Sequence, residues 1–184
     1  MSYTSSTLIF SDDRITVSGS TAEVMMGWEA PIMSASAAYV TQGGGNILEI
    51  GFGMGISADY IQSHSISSHT IIENHPQIIS KSREWVSGKS NVTIISQSWQ
   101  EVSSSIGTFD GIFYDTYGDD DMYHLSSSLS GLTKSGAKVT FWNNVDGARN
   151  IYNISDITYQ SVNVTPPSNS YFPGNVYYMP KKEF

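Results

Sequence analysis

The chain has 184 residues, of which 39% are hydrophobic and 14% charged, as in a globular protein long enough to bury a core. Its formal net charge of −8 argues against a nucleic-acid partner, and the lack of cysteine excludes disulfide bonds, thiolate metal sites and thiol nucleophiles. The apolar runs are too short to span a membrane and the N-terminus lacks signal-peptide features, so we expect no membrane association and a cytoplasmic location.

The N-terminal part of the chain is predicted to form a hairpin followed by a helix. Two β-prone runs within residues 7–17 favour a small hairpin, which packs either on its own sheet or on that of a partner. A helix is expected over residues 22–42, capped by Ser20 or Thr21. Pro31 lies inside this pattern and should kink or split the helix.

From residue 46 onwards, β-prone and helical segments alternate. Strands are expected over residues 46–50, 69–73, 91–96, 109–115 and 137–142. Helices are expected over 56–64, 76–86 and 119–133, with a short turn near 99–105. A further helix is expected over 146–153, and closing strands over 156–164 and 175–179. The helix over 119–133 should gain from Asp119–Asp121 at its positive end.

This alternation predicts an α/β fold with a mostly parallel sheet, helices on both faces and an antiparallel C-terminal edge. We expect a single domain, residues 1–184. Within it, residues 1–20 form a hairpin arm, 21–45 a helical cap and 46–184 the α/β core.

The segment from Leu48 to Ile56 has the pattern of a buried strand that runs into a glycine turn and then a helix. Gly51, Gly53 and Gly55 stand at alternate positions. Glycine permits positive φ and a close approach of the backbone to a ligand, and a helix opening there points free N–H groups at that ligand. The pattern predicts a nucleotide-like cofactor and, alone, also suits a dinucleotide-dependent oxidoreductase.

Three residues at predicted strand ends are candidates for ligand contacts, because ligands of open α/β sheets bind at that edge. Glu73 follows the second strand about 20 residues after the glycines, where an acid can bind both ribose hydroxyls; the alternative is a solvated glutamate. Trp99 is either an adenine-stacking wall or a core residue. Asp115 follows an apolar strand and needs a partner, unless it caps a helix.

A further acid, Glu29, lies beside Trp28 in an otherwise apolar segment. Met25, Glu29 and Met33 are four residues apart, so they share one face if the helix continues past the proline. The alternative is a methionine core stripe with a glutamate that reaches solvent.

Three motifs together resemble one family: Trp28-Glu29-Ala30-Pro31, Gly51-Phe52-Gly53-Met54 and Tyr114-Asp115-Thr116-Tyr117. They are similar to those of the S-adenosylmethionine-dependent guanidino N-methyltransferases, a group that includes guanidinoacetate N-methyltransferase and the protein arginine methyltransferase that modifies the δ-nitrogen. The resemblance extends from Val24 to Pro180. It implies a Rossmann-like class I methyltransferase fold and S-adenosyl-L-methionine as the cofactor.

The resemblance also implies roles for individual residues. Glu29 and Asp115 would bind the guanidinium and carry the catalysis, with Asp115 as the base. The backbone N–H groups of Asn144 and Val145 would hold a substrate carboxylate. The implied cofactor contacts are Met25, Met33, Gly51, Phe52, Gly53, Met54, Gly55, Ile56, Glu73, Asn74, His75, Trp99, Gln100 and Asp115.

The function expected from these features is methylation of the guanidino group of a small molecule such as guanidinoacetate. The alternatives are an N-methyltransferase of protein or free arginine, and a protein that binds or consumes S-adenosylmethionine without methylating a guanidine. No metal is expected, since the four histidines lack ligand spacing. The oligomeric state, including a homo-oligomer, is left open.

Overall fold

The computed structural model describes residues 2–118 and 122–184, so the predicted role of Asp119–Asp121 at a helix start lies outside the described residues. The chain opens with a short 3-10 turn and a three-stranded antiparallel sheet, whose strands are β1 (Leu8–Phe10), β2 (Arg14–Val17) and β3 (Glu23–Met26). Gln77 from the α/β core accepts the N–H of Leu8 at 2.7 Å. The predicted hairpin is therefore present and packs on its own chain.

The prediction of a helix over residues 22–42 is wrong in its first half. Residues 23–26 form β3, and helix α1 (Ala30–Val40) begins only after the 3-10 turn Gly27–Glu29. Pro31 lies in the first turn of α1, where its missing N–H costs no helical bond. Met25, Glu29 and Met33 consequently lie on three different elements and share no helix face.

Seven strands form the central sheet, in the order β6-β5-β4-β7-β8-β10-β9. The first five in this order are parallel, and β10 and β9 complete an antiparallel edge. The predicted fold class is confirmed. The strands are β4 (Asn46–Ile50), β5 (Ser68–Ile72), β6 (Val92–Ile95), β7 (Phe109–Tyr114), β8 (Thr133–Phe141), β9 (Thr158–Asn163) and β10 (Val176–Glu183).

Helices cover both faces of this sheet, because alternate residues of the buried strands point to opposite sides. Ile47 and Phe113 belong to a core cluster with α1 and α2, whereas Leu48 and Ile112 belong to a cluster with α5. The helices after α1 are α2 (Ile56–Gln62), α3 (Pro76–Trp85), α4 (Trp99–Val102) and α5 (Met122–Leu132). Among the residues that the structure describes, no helix has the length and apolar character needed to cross a membrane.

The predicted helix over residues 146–153 is not formed. Gly147 and Asn153 have φ values of 81° and 55°, in the left-handed region that a right-handed helix excludes. The Asn143 side-chain amide donates to the carbonyl of Gly147 at 3.1 Å, and Asn150 Oδ1 accepts the N–H of Tyr152 at 3.2 Å. These side-chain bonds stabilise an irregular loop in place of a helix.

Candidate active site

The central strands β4 and β7 end together at the edge of the sheet where the strand order reverses, with Ile50 in register with Tyr114. Gly51 and Asp115 follow directly, and the N–H of Asp115 donates to the carbonyl of Ile50 at 2.9 Å. Gly51 has a φ of +94°, and a Cβ at this position would overlap the carbonyl oxygen of Asp115. Only glycine fits this junction between the predicted cofactor turn and the predicted catalytic acid.

A cleft at this edge, here called the glycine cleft, is bounded by the ends of β4 and β5, by β3 and by the N-terminal turn. Of the predicted cofactor contacts, eight line it: Met25, Gly51, Phe52, Gly53, Glu73, Asn74, Trp99 and Asp115. Ten further residues also line it: Tyr3, Val24, Ile50, Ser57, Ile72, Ile78, Gln97, Ser98, Thr116 and Tyr117. The combination of a glycine turn, a strand-end acid and an aromatic wall fits a nucleoside cofactor.

Glu73 joins two segments of the glycine cleft through three backbone N–H groups. One carboxylate oxygen accepts from Phe52 at 3.0 Å, and the other from Asn74 and His75 at 2.9 and 2.8 Å. Burial raises the pKa of Glu73, although these hydrogen bonds act in the opposite direction. The acid therefore fixes the glycine turn against the end of β5.

Met25 closes the other side of the glycine turn. Its sulfur accepts the N–H of Met54 at 3.0 Å and lies where a Cβ on Gly53 would be. This contact places β3 directly over the turn, in a position that the predicted helix would not have provided.

Other predicted cofactor contacts lie outside the described lining of the glycine cleft: Met33, Met54, Gly55, Ile56, His75 and Gln100. Met33 is completely buried in the core below α1. His75 is also buried and caps α3, its Nδ1 accepting the N–H of Gln77 at 3.2 Å. Trp99 lines the cleft and also belongs to the core around Tyr114, a position compatible with either of its alternatives.

A second cleft, here called the aromatic cleft, adjoins the first, and the two share Val24, Asp115, Thr116 and Tyr117. Both predicted catalytic acids, Glu29 and Asp115, line it. Its other described lining residues are mainly aromatic or acidic: Glu23, Val24, Tyr114, Thr116, Tyr117, Gly118, Trp142, Asn144, Ile151, Tyr152 and Tyr171. Glu29 therefore lines only the aromatic cleft, whereas Asp115 lies at the junction of the two clefts.

Glu29 is only 4% exposed, and its Oε1 accepts the Tyr171 hydroxyl at 2.8 Å. Burial raises the pKa of Glu29 to about 8, with a further contribution from the negative charge of Asp115. Such a carboxylate is poorly stabilised as an anion unless a cation binds it.

The pKa of the Asp115 carboxyl is raised as well. Burial raises its pKa to about 7, assisted by the negative charge of Glu49 beneath it on β4. No residue in the described part of the chain donates a hydrogen bond to its carboxylate. Two destabilised carboxylates in one cleft form a site for a ligand that is cationic and rich in N–H donors.

Aromatic rings pack beside these acids and form one wall of the aromatic cleft. Tyr171 lies between Trp28 and Trp142, with ring centroids 5.6 and 6.3 Å away, and Trp142 stacks on Tyr177 at 5.0 Å. Aromatic faces attract cations and contact planar groups well. The wall therefore suits a flat, positively charged ligand.

Asn144 lines the aromatic cleft, whereas Val145 is not among its described lining residues. The backbone N–H of Asn144 donates to the Tyr152 hydroxyl at 2.7 Å. That N–H group, expected to hold a substrate carboxylate, is thus already bonded within the protein.

Sequence reasoning missed several aromatic residues of both clefts: Tyr3, Trp142, Tyr152 and Tyr171. Tyr3 packs against His75 and Tyr117 at 4.9 and 5.0 Å. None of the four stands in a motif or a periodic pattern. The two remaining missed aromatics, Tyr114 and Tyr117, had a signal, since they begin and end the Tyr-Asp-Thr-Tyr motif.

A buried network also lies beneath the glycine turn. Glu49 on β4 lies 2.9 Å from the Nε2 of His69 on β5 and accepts the hydroxyl of Ser57 on α2, and Glu49 and His69 are completely buried. In the described residues no group of three or more His, Asp or Glu side chains could hold a metal ion.

Comparison with known proteins reveals several relatives. The chain is 30% identical over 215 residues to protein arginine N-methyltransferase 2 of Kluyveromyces lactis, covering 99% of this chain and 53% of that protein. The protein of the same name from Aspergillus oryzae is 34% identical over 159 residues, covering 81% and 38%. The chain therefore spans about half, or less, of the length of these relatives.

Solved structures share the fold. The N-methyltransferase NodS from Bradyrhizobium japonicum superimposes with a TM-score of 0.66 at 18% identity, covering 85% of this chain and 96% of that one. The family model described as guanidinoacetate N-methyltransferase matches residues 4–139, which include the glycine turn, Glu29, Glu73 and Asp115. This match confirms the prediction of S-adenosylmethionine as the cofactor, and the chain belongs to the guanidinoacetate N-methyltransferase family.

Proposed function

We propose that this chain is an S-adenosylmethionine-dependent N-methyltransferase that modifies the guanidino group of arginine in a protein. The observation that carries the proposal is the pair of carboxylates, buried Glu29 and half-buried Asp115, in a cleft that adjoins the glycine turn. A guanidinium is planar, cationic and rich in N–H donors, and so complements both acids and the aromatic wall.

Glu29 and Asp115 have different roles in this proposal. Glu29 orients the guanidinium by accepting its N–H groups, and Asp115, at the junction of both clefts, holds the nitrogen that reacts. When bound, S-adenosylmethionine supplies an electrophilic methyl group and leaves as S-adenosylhomocysteine. The methylated nitrogen loses a proton, which the Asp115 carboxylate accepts, and a pKa of about 7 suits a base at neutral pH.

Two observations favour protein arginine as the acceptor. Both curated relatives described above are named protein arginine N-methyltransferase 2. The N–H of Asn144, which would bind the carboxylate of a small guanidino acid, is bonded to Tyr152. Guanidinoacetate is the second candidate, because the matching family model carries its name.

A product assay separates the candidates. The protein is incubated with S-adenosylmethionine and, in parallel, with an arginine-containing peptide, free arginine and guanidinoacetate, and the products are identified by mass spectrometry. We expect a mass gain of one methyl group on the peptide. If only guanidinoacetate is methylated, the acceptor is guanidinoacetate and not protein arginine. Cofactor binding without any methylated guanidine would contradict the proposed activity.

The variant Asp115→Asn tests the assigned base. We expect turnover to fall by about 100-fold or more, while affinity for S-adenosylhomocysteine changes little. Asp156→Asn is the matched control, because Asp156 is exposed and has a φ of 57°, which asparagine also adopts. Wild-type turnover by Asp115→Asn would remove Asp115 from the mechanism.

A further inference from the structure

The aromatic cleft contains a third acid, Glu23, to which the proposed chemistry gives no role. Glu23 begins β3 and lines the cleft together with Glu29 and Asp115. Its Oε2 lies 3.5 Å from the backbone N of Tyr171, the residue whose hydroxyl binds Glu29. Glu23 and Glu29 therefore contact opposite ends of Tyr171, its backbone N–H and its hydroxyl.

The acids of the cleft carry one more negative charge than the two ligands balance. Asp115 and Glu29 provide two negative charges, which the guanidinium and the sulfonium of the cofactor balance. Glu23 adds a third negative charge, and its field is among the causes that raise the pKa of Glu29. With both ligands in place the cleft keeps one excess negative charge, which a further cation on the acceptor would balance.

The protein itself supplies no such cation from the described lining of the cleft, which contains no lysine, arginine or histidine. Arg14 on β2 interacts electrostatically with Glu23. Its guanidinium, however, is bound to the Asp13 carboxylate through Nε at 3.1 Å and Nη2 at 2.9 Å. A carboxylate on the acceptor would also lack its expected donor, because the N–H of Asn144 bonds Tyr152.

We propose that Glu23 is a specificity residue that binds a second positive charge on the acceptor, so that the cleft selects dicationic guanidines and discriminates against guanidino acids. In a peptide, the second charge is a basic residue next to the target arginine. This inference rests on the proposed function and adds to it the charge of the substrate beyond the reacting group.

The test uses three guanidines with four-carbon tails whose ends differ in charge: agmatine with an ammonium, 1-butylguanidine with a methyl and 4-guanidinobutyrate with a carboxylate. Their affinities for the protein loaded with S-adenosylhomocysteine are measured by calorimetry, and their methylation by mass spectrometry. We expect agmatine to bind about three- to fivefold more tightly than butylguanidine, and guanidinobutyrate to bind most weakly.

The variant Glu23→Gln assigns the effect to the residue. It should bring the ratio of agmatine to butylguanidine affinity close to one, whereas Glu84→Gln, an exposed glutamate on α3, should leave the wild-type ratio. An arginine peptide with basic neighbours should likewise bind more tightly than one with acidic neighbours.

The outcomes separate this inference from the proposed function. Equal binding and methylation of all three guanidines, or a wild-type ratio in Glu23→Gln, would overturn the role of Glu23 and leave the methyltransferase proposal intact. Failure to bind or methylate any of the guanidines and peptides would overturn both.

Discussion

The Tyr171 hydroxyl donates a hydrogen bond of 2.8 Å to Oε1 of Glu29, although the two residues are 142 positions apart in the chain. Tyr171 is 50% exposed and Glu29 only 4%, so the tyrosine covers a buried acid from the solvent side. The bond links the connection between β9 and β10 to the 3-10 turn before α1. An acceptor that reaches Glu29 must share this carboxylate with Tyr171 or displace it.

The variant Tyr171→Phe is expected to move the pH dependence of acceptor methylation upwards. The hydroxyl stabilises the Glu29 anion, so its loss should raise the pKa of Glu29 further. At pH 7, kcat/KM for the acceptor should fall several-fold, and the deficit should shrink at pH 9. The measurement is a pH profile of kcat/KM from initial rates.

The matched control for this variant is Tyr159→Phe. Tyr159 on β9 has a buried hydroxyl with no hydrogen-bond partner in the described ranges 2–118 and 122–184, so the same chemical change removes no hydrogen bond seen there. A pH profile in Tyr171→Phe that coincides with those of wild type and the control would show that the hydroxyl does not act on Glu29.

Glu29 should also make the ligand-free protein less stable at higher pH. Its pKa rises from 4.5 in the unfolded chain to about 8 in the fold, so between these values the folded state binds the extra proton. The contribution of Glu29 to the free energy of unfolding is therefore fully present below pH 4.5 and is lost as pH rises towards 8. The loss is about 1 kcal/mol per pH unit where Glu29 is protonated in the folded state and ionised in the unfolded state.

Thermal unfolding of Glu29→Gln measures this effect. The glutamine does not titrate, so Tm should fall less between pH 5 and 8 in this variant than in the wild type. Glu84→Gln, at an exposed position on α3, should keep the wild-type slope. A Tm of Glu29→Gln that falls as steeply as that of the wild type would show that Glu29 ionises normally.

The central strands of the α/β core could be predicted because most contain a short apolar run with its own turn signals. Glu73 and Asp115 could be predicted as well, since a parallel sheet brings residues at the carboxyl ends of its strands to one edge. For these positions, local sequence and strand order are sufficient information.

Residues 23–26 show where local pattern misleads. The spacing of Met25, Glu29 and Met33 by four suits a helix. Pairing with β2 and the hydrogen bond from the N–H of Gly27 to the carbonyl of Asp13 instead make residues 23–26 a strand. Tyr171 and Tyr3 could not be predicted either, because each reaches its cleft from an irregular segment. Their positions depend on contacts between distant parts of the chain, which periodicity does not encode.

The variant Glu73→Gln is expected to weaken cofactor binding. Its amide nitrogen would face one of the three N–H groups that the carboxylate now accepts, leaving a repulsive contact at the glycine turn. Affinity for S-adenosylhomocysteine, measured by calorimetry, should fall about tenfold or more. Unchanged affinity would exclude Glu73 as a cofactor residue, and Glu84→Gln serves again as the control.

The variant Gly51→Ala tests the junction between the two clefts. At a φ of +94° an alanine is strained, and its Cβ would overlap the Asp115 carbonyl oxygen, so β4 and β7 must separate. Gly88→Ala is the matched control, because Gly88 has a φ of +81° with nothing within 4 Å of the added Cβ. Strain alone should lower the Tm of the control by a few degrees.

We expect Gly51→Ala to lower Tm clearly more than Gly88→Ala does, because overlap adds to strain. It should also weaken S-adenosylhomocysteine binding by about tenfold or more, since the backbone that bounds the glycine cleft shifts. The control should keep wild-type affinity, because Gly88 lies outside the described lining of both clefts. Equal loss of Tm in the two variants, with normal affinity in both, would show that the junction tolerates a side chain and that Asp115 is not positioned by its contact with Gly51.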